Sequence, residues 1–97
     1  MNQADDNPTR QRELPVNNSL GLHARAAARI AETVQGFNCR VTLHKGESQA
    51  EADSVLSILT LDAPLGTTIT AQAQGPEAEK ALDALSRLFA DGFGENQ

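Results

Sequence analysis

The chemistry open to this chain centres on one histidine. His23 stands in the run Gly21-Leu22-His23-Ala24-Arg25-Ala26-Ala27-Ala28, between a segment that reads as strand and loop (12–22) and an alanine-rich segment that reads as helix. A side chain at such a junction faces the unpaired N–H groups and the positive dipole end of the helix, which together make an anion site. The backbone donors there would be the N–H groups of Ala24, Arg25 and Ala26. The Arg25 side chain adds a guanidinium whose planar fork suits phosphate oxygens. An imidazole is a nucleophile near neutral pH. A nucleophile, an N-terminal anion hole and an arginine are the parts needed to hold a phosphoryl group on a histidine. The same residues admit a plainer reading, because a histidine near a helix start more often caps the helix or sits on the surface. Local chemistry leaves both readings open, and the order of the other elements decides between them.

Those elements follow from periodicity and turn residues. Residues 1–11 carry no periodic apolar positions and include Pro8, so they read as a disordered tail. Arg12 to Val16 is a short strand that Pro15 confines to a sheet edge. Ala24 to Gln35 is a helix with Ala27, Ile30, Ala31 and Val34 on one stripe; Gly36 stops it, and Phe37 can fold back on the last turn. Cys39, Val41 and Leu43 alternate with polar neighbours as a half-buried strand, 45–48 turns, and Gln49 to Ala52 returns as a weaker strand. Ser54 to Leu61 is short and almost wholly apolar, and Asp62-Ala63-Pro64-Leu65-Gly66 turns again. Thr67 to Gln74 alternates, with Ile69, Ala71 and Ala73 on one side. Gly75-Pro76-Glu77 starts a last helix, with proline at its first position and a core stripe of Ala78, Ala81, Leu82, Leu85, Leu88 and Phe89. Gly92-Phe93 repeats the Gly-Phe ending of the first helix. The order is β-α-β-β-α-β-α. It specifies an α+β fold, an open-faced β-sandwich in which a four-stranded antiparallel sheet is covered on one face by three helices. The domain spans 12–93, and 94–97 is a C-terminal tail.

Composition bounds the function. The chain has 97 residues, enough for one modest core, and its three phenylalanines with no tryptophan or tyrosine leave that core to aliphatic side chains. A formal charge of −5 argues against nucleic-acid binding. The lone Cys39 cannot form an internal disulfide, the acidic segment 1–6 shows no signal peptide, and no run is long enough to span a membrane. These features point to a cytoplasmic protein with no membrane association, expected as a monomer. No metal or other cofactor is expected, since His23 and His44 are the only histidines and Cys39 has no partner at a ligand spacing.

The segment Gly-Leu-His-Ala-Arg opening the first helix resembles the active-site segment of the HPr phosphocarriers of the bacterial phosphotransferase system, and the element order is theirs too. Within that family the chain is most similar to the nitrogen-branch carriers, NPr. The closer match lies in Gln35-Gly36-Phe37, Glu51-Ala52-Asp53-Ser54-Val55, Leu61-Asp62, Gly75-Pro76, Leu88-Phe89 and Gly92-Phe93. The resemblance covers about Leu14 to Phe93. It implies that His23 accepts a phosphoryl group on Nδ1 from a phosphoenolpyruvate-dependent Enzyme I-type kinase. It further implies that the group passes to a histidine of an Enzyme IIA-type acceptor, with Arg25 neutralising it in transit. Such a chain is a phosphoryl-group carrier more than an independent enzyme. The family usually has proline directly after the arginine; Ala26 stands here, adding an N–H while loosening the helix start.

Ser54 matches the family's regulatory serine, although its plainer role is N-cap of the short helix, and Asp53 would repel an added phosphate. The apolar run 55–61 holds more large side chains than one buried helix face needs. Val55, Ile58 and Leu59 share a helical face, which leaves Leu56 pointing elsewhere. Beside His23, the residues Leu22, Ala24, Ala28, Val55, Leu56 and Leu59 are therefore expected to form a partner-docking patch, where the resemblance also places the partner surface. Sugar-branch carriers tend to have lysines on the first helix; Glu32 and Gln35 here suggest a different partner surface. Three roles remain on sequence alone: a carrier in a regulatory nitrogen-type relay, a regulator whose binding depends on phosphorylation with transfer incidental, and a small hydrolase using His23 as base. The hydrolase lacks an orienting carboxylate in the sequence near His23 and has only Ser19 as candidate nucleophile.

Overall fold

The computed structural model describes residues 7–95. Four strands, β1 (Arg10–Pro15), β2 (Arg40–Lys45), β3 (Ser48–Glu51) and β4 (Thr68–Gln74), form one sheet in the order β1-β4-β2-β3. Every neighbouring pair is antiparallel. Three helices, α1 (Ala24–Gln35), α2 (Val55–Leu59) and α3 (Ala78–Ala90), complete the expected order.

Alternation divides the sheet. Leu14, Val41, Leu43, Ala50, Ile69, Ala71 and Ala73 are buried on the covered face, while Thr42, His44, Thr70, Gln72 and Gln74 are only half-buried on the other. Small side chains on both layers (Ala71 and Ala73 below, Ala27, Ala31, Ala78 and Ala81 above) bring helix and sheet backbones close. Ile30, Val34, Leu82, Leu85 and Phe89 fill the remaining space. Arg12 of β1 clips α3 to the sheet edge, donating to Asp83, Glu79 and Ser86. The ring of Pro15 costs the sheet no hydrogen bond at the outer edge of β1.

Several boundaries differ from the sequence reading. β1 begins at Arg10, inside the segment read as tail, because β4 offers backbone partners that pair Arg10 with Ala73 and Gln11 with Gln72. Of the rest of the expected tail, Asn7 is also tied to the sheet, its carbonyl accepting from Gln74 Nε2 at 3.0 Å, and 1–6 lie outside the described residues. β3 starts at Ser48 because Lys45 pairs with it across a tight turn. Pro76 precedes the N-cap Glu77 instead of occupying the first position of α3, since Gly75 accepts from the Ala78 N–H and Asn38 from that of Glu77. The two Gly-Phe endings are not alike. Gly36 keeps a right-handed φ of −82°, whereas Gly92, Phe93 and Gly94 turn left-handed at φ 62°, 61° and 73°.

The loop leading into α1 is held against the turn before β4. Leu22 N–H donates to the Ala63 carbonyl at 2.9 Å. Gly21 has φ +68°, and a Cβ there would lie 2.6 Å from that same carbonyl oxygen. Only glycine meets both demands. Gly21→Ala should therefore destabilise the domain by about 2 kcal/mol or more, combining left-handed strain with overpacking. Thermal melting should register this as a drop on the order of 10 °C for a domain of this size.

Candidate functional site

Helix α1 begins with a histidine as its N-cap. His23 has extended backbone (φ −82°, ψ −176°), and its side chain accepts from the Arg25 backbone N–H. The accepting atom is Nδ1, at 3.3 Å. A nitrogen that accepts a hydrogen bond carries a lone pair, so in the neutral ring the proton sits on Nε2. Nε2 in turn lies 2.5 Å from Oε2 of Glu95, 72 positions away in sequence. The lone pair of the imidazole is thus aimed at the N-terminus of α1. The Ala24 and Ala26 N–H groups have no acceptor among the described residues, so two of the three expected anion donors stand open.

The Arg25 side chain is exposed beside the ring and makes no hydrogen bond with the described residues. Its charge does reach Glu95, whose carboxyl it helps to keep ionised. Ala26 is fully buried at the first turn of α1.

Glu95 was read from sequence as tail, and the structure corrects that. Its side chain is only 6% exposed, against 25% for His23. Oε1 accepts from Asn18 Nδ2 at 3.2 Å, and the same Nδ2 donates to the Gly21 carbonyl at 2.8 Å. Asn18 is completely buried. Its Oδ1 has no partner among the described residues. The left-handed turn at Gly92–Gly94 brings Glu95 to this place. Phe93 tolerates a positive φ because its ring is fully buried and packs against Phe89, tilted by 59° with centroids 4.8 Å apart. No apolar period or charge pattern marks a glutamate so placed; the Gly-Phe-Gly run was the available signal.

His44, the other histidine, lies half-buried on β2 with Nε2 against the Thr42 hydroxyl at 3.0 Å, away from any helix start. Ser54 caps α2, its Oγ accepting from the Ser57 N–H at 3.2 Å. Among the described residues no cluster of three or more His, Cys, Asp or Glu side chains is placed to hold a metal ion. No described helix is long and apolar enough to cross a membrane.

The expected docking patch divides. Leu56 is 77% exposed, with Leu20 at 64%, Leu65 at 56% and Leu59 at 37%. Leu22 is buried, a correction forced by its hydrogen bond to Ala63, which turns the side chain into the core. Val55 is half-buried against the core, Ala28 is half-buried and Ala24 is exposed. Of the face expected to point inward, only Ile58 is fully buried; a helix of five residues is too short to bury the whole face. Leu20, which the sequence reading passed over, joins Leu59, Leu22 and Pro64 around a shallow depression of 230 Å³ against His23.

A histidine caps a helix here with its lone pair toward open N–H groups, a geometry suited to an anionic group held at a ring nitrogen, beside a four-stranded sheet of order β1-β4-β2-β3. The family described as the PTS HPr component phosphorylation site matches residues 10–91. The chain belongs to the HPr family, the phosphocarriers of the phosphotransferase system. It is 42% identical over 89 residues to the phosphocarrier protein NPr of Escherichia coli, covering 91% of this chain and 99% of that one. It is 37% identical over 87 residues to the phosphocarrier protein HPr of Cupriavidus necator, covering 90% and 98%. Among solved structures, HPr of Thermoanaerobacter tengcongensis superposes with a TM-score of 0.86 at 30% identity, covering 91% of this chain and 99% of that one.

The Glu95 carboxyl is held below its ordinary value, chiefly by the hydrogen bond from His23 and against the opposing effect of burial; Asn18 and the charges of His23 and Arg25 add to the lowering. A carboxyl lowered on folding stabilises the fold above its unfolded value, and that contribution is lost as pH falls through the folded value. Compared with Glu95→Gln, the wild-type chain should be more stable above about pH 5, the unfolded carboxyl titrating near pH 4.3. Denaturant titrations at stepped pH should find the difference shrinking below that range and gone in stronger acid.

Proposed function

We propose that His23 is the phosphorylated residue and that Nδ1 carries the group. The observation that carries this reading is the Nδ1 lone pair directed at the start of α1, where Ala24 and Ala26 present N–H groups without acceptors. The hydrogen bond from Arg25 N–H to Nδ1, at 3.3 Å, is long and gives way at small cost. Once Nδ1 is phosphorylated, the same N–H donates to a phosphoryl oxygen instead. The exposed Arg25 guanidinium swings onto the group as it transfers and offsets its charge. Ser54 acts as the cap of α2.

The donor in this reading is an Enzyme I-type phosphoenolpyruvate kinase and the acceptor an Enzyme IIA-type protein, in a regulatory, nitrogen-type relay in the cytoplasm. The 42% identity to NPr supports the nitrogen branch, as do Glu32 and Gln35 in place of lysines on α1. Partners dock on Leu56, Leu59 and Leu20, with Ala24 and Ala28 at the margin and Val55 contributing its exposed part. A monomer suffices, since one chain holds the whole site.

Labelling from phosphoenolpyruvate and Enzyme I tests the reading. His23→Ala should abolish incorporation and His44→Ala should leave it intact; incorporation that survives His23→Ala would sink it. Docking has a separate test in Leu56→Asp. At 77% exposure, the substitution should change stability by no more than about half a kcal/mol, yet weaken Enzyme I binding at least about tenfold by placing a charge in an apolar contact. A large fall in melting temperature would instead assign Leu56 to the core.

A further inference from the structure

We propose that Glu95 is a positioning residue for phosphoryl transfer, fixing the tautomer of His23 and neutralising the ring once Nδ1 is phosphorylated; this rests on His23 being the carrier residue. A neutral imidazole has one N–H and one lone pair, and which nitrogen holds which is set by its neighbours. Two neighbours agree here. Arg25 N–H donates to Nδ1, and a carboxylate oxygen of Glu95 can only accept from Nε2. The opposite tautomer would set the N–H of Nδ1 against a backbone N–H, and an Nε2 lone pair against a carboxylate. Glu95 is itself held: Asn18 donates to its second oxygen, and Asn18 is anchored to the Gly21 carbonyl immediately before the histidine loop.

The electron balance gives the carboxylate its second role. As Nδ1 attacks the phosphorus on the phosphorylated donor, the Nδ1–P bond forms and the bond from phosphorus to the donor's leaving atom breaks, its electron pair returning to the donor. No proton leaves His23. Its ring keeps Nε2–H and becomes a cationic phosphoimidazolium, with the Glu95 carboxylate on the charged N–H. On onward transfer, the Nδ1–P pair returns to the ring and restores neutral imidazole with Nε2–H still in place. An orienting carboxylate behind a nucleophilic or basic imidazole is the arrangement that serine hydrolases use for the same electrostatic purpose. Here it serves a ring that is the nucleophile itself.

Two other features of the fold carry less. The polar groove on the open sheet face, lined by Arg40, Thr42, His44 and Gln72, holds nothing that selects a ligand. The exposed leucines belong to the docking surface already described.

The test compares full-length wild type with Glu95→Ala and Glu95→Gln, following the ring nitrogens of His23 by 15N NMR and phosphorylation by Enzyme I in rapid-quench assays. In wild type with the ring neutral, the shifts should report a lone pair on Nδ1 and a proton on Nε2. Glu95→Ala should move them toward a mixture of tautomers and slow phosphorylation by about ten- to a hundredfold, less than the roughly 10⁴-fold loss in a Ser-His-Asp triad because the Arg25 N–H still holds Nδ1. Glu95→Gln keeps an acceptor oxygen without the charge, so it should hold the wild-type tautomer while recovering only part of the rate. That split separates positioning from a fold effect, which would lower rate and melting temperature together and leave the tautomer unsorted. Wild-type rates and unchanged ring shifts in Glu95→Ala would overturn the inference while leaving His23 as carrier. Absence of labelling in wild type, or labelling that survives His23→Ala, would fault the carrier reading instead.

Discussion

Every α-helix starts with backbone donors that its own turns cannot satisfy, and something must meet them. In this chain the group that does so is an imidazole. A serine or aspartate at the cap would satisfy the Arg25 N–H as well, with a shorter side chain and a smaller loss of freedom. The histidine instead places a nucleophilic nitrogen where the helix field favours negative charge. Capping and chemistry therefore compete for one lone pair. The competition stays mild because the bond is long, at 3.3 Å. A tighter cap would stabilise the resting helix and raise the barrier to attack; a looser one would let the ring rotate away.

The position of that cap depends on the layers beneath it. Helix α1 reaches the sheet only because Ala26, Ala27 and Ala31 present almost no bulk on its inner face, with Ile30 and Val34 filling the gaps. Its start is fixed from the other side by Gly21 and Leu22 lying against Ala63. Around this rigid corner the chain leaves Leu20, Leu56, Leu59 and Leu65 exposed. In a domain with so small a core, large side chains in water are a standing loss of burial energy. Leu20 and Leu59 line the depression against His23, and the docking proposed above would give the loss a use.

Much of this was legible in the sequence, because burial leaves a periodic trace. The stripe through Ala27, Ile30, Ala31 and Val34 fixed α1 to its observed bounds, and the alternation through Val41 and Leu43 or Ile69, Ala71 and Ala73 gave the strands. Pro15 marked the sheet edge correctly. What failed was whatever burial does not encode. Arg10 and Gln11 join β1 through backbone hydrogen bonds alone, which no side-chain period reveals. Leu22 looked available for docking because its neighbours are the site, yet a single backbone bond turns it inward. The hand of the turn after α3 is set by φ at Gly92 and Phe93, and the sequence offers the same Gly-Phe pair where α1 ends right-handed.

The largest omission, Glu95, shows why local reading stops short of this site. A bulky residue at positive φ is held only where its surroundings over-determine it, at a cost of about 1–2 kcal/mol. Phe93 meets that condition through complete burial against Phe89, with a glycine on each side to continue the left-handed turn. Burial of one aromatic ring outweighs the strain, since a fully buried phenylalanine is worth roughly 1.5–3 kcal/mol. With the ring held, Gly92 runs beside Asn17 and Asn18, and the carboxylate of Glu95 meets Nε2. The site is thus closed by the core: the chain order at residue 95 depends on packing at residue 93, and the imidazole's tautomer depends on both.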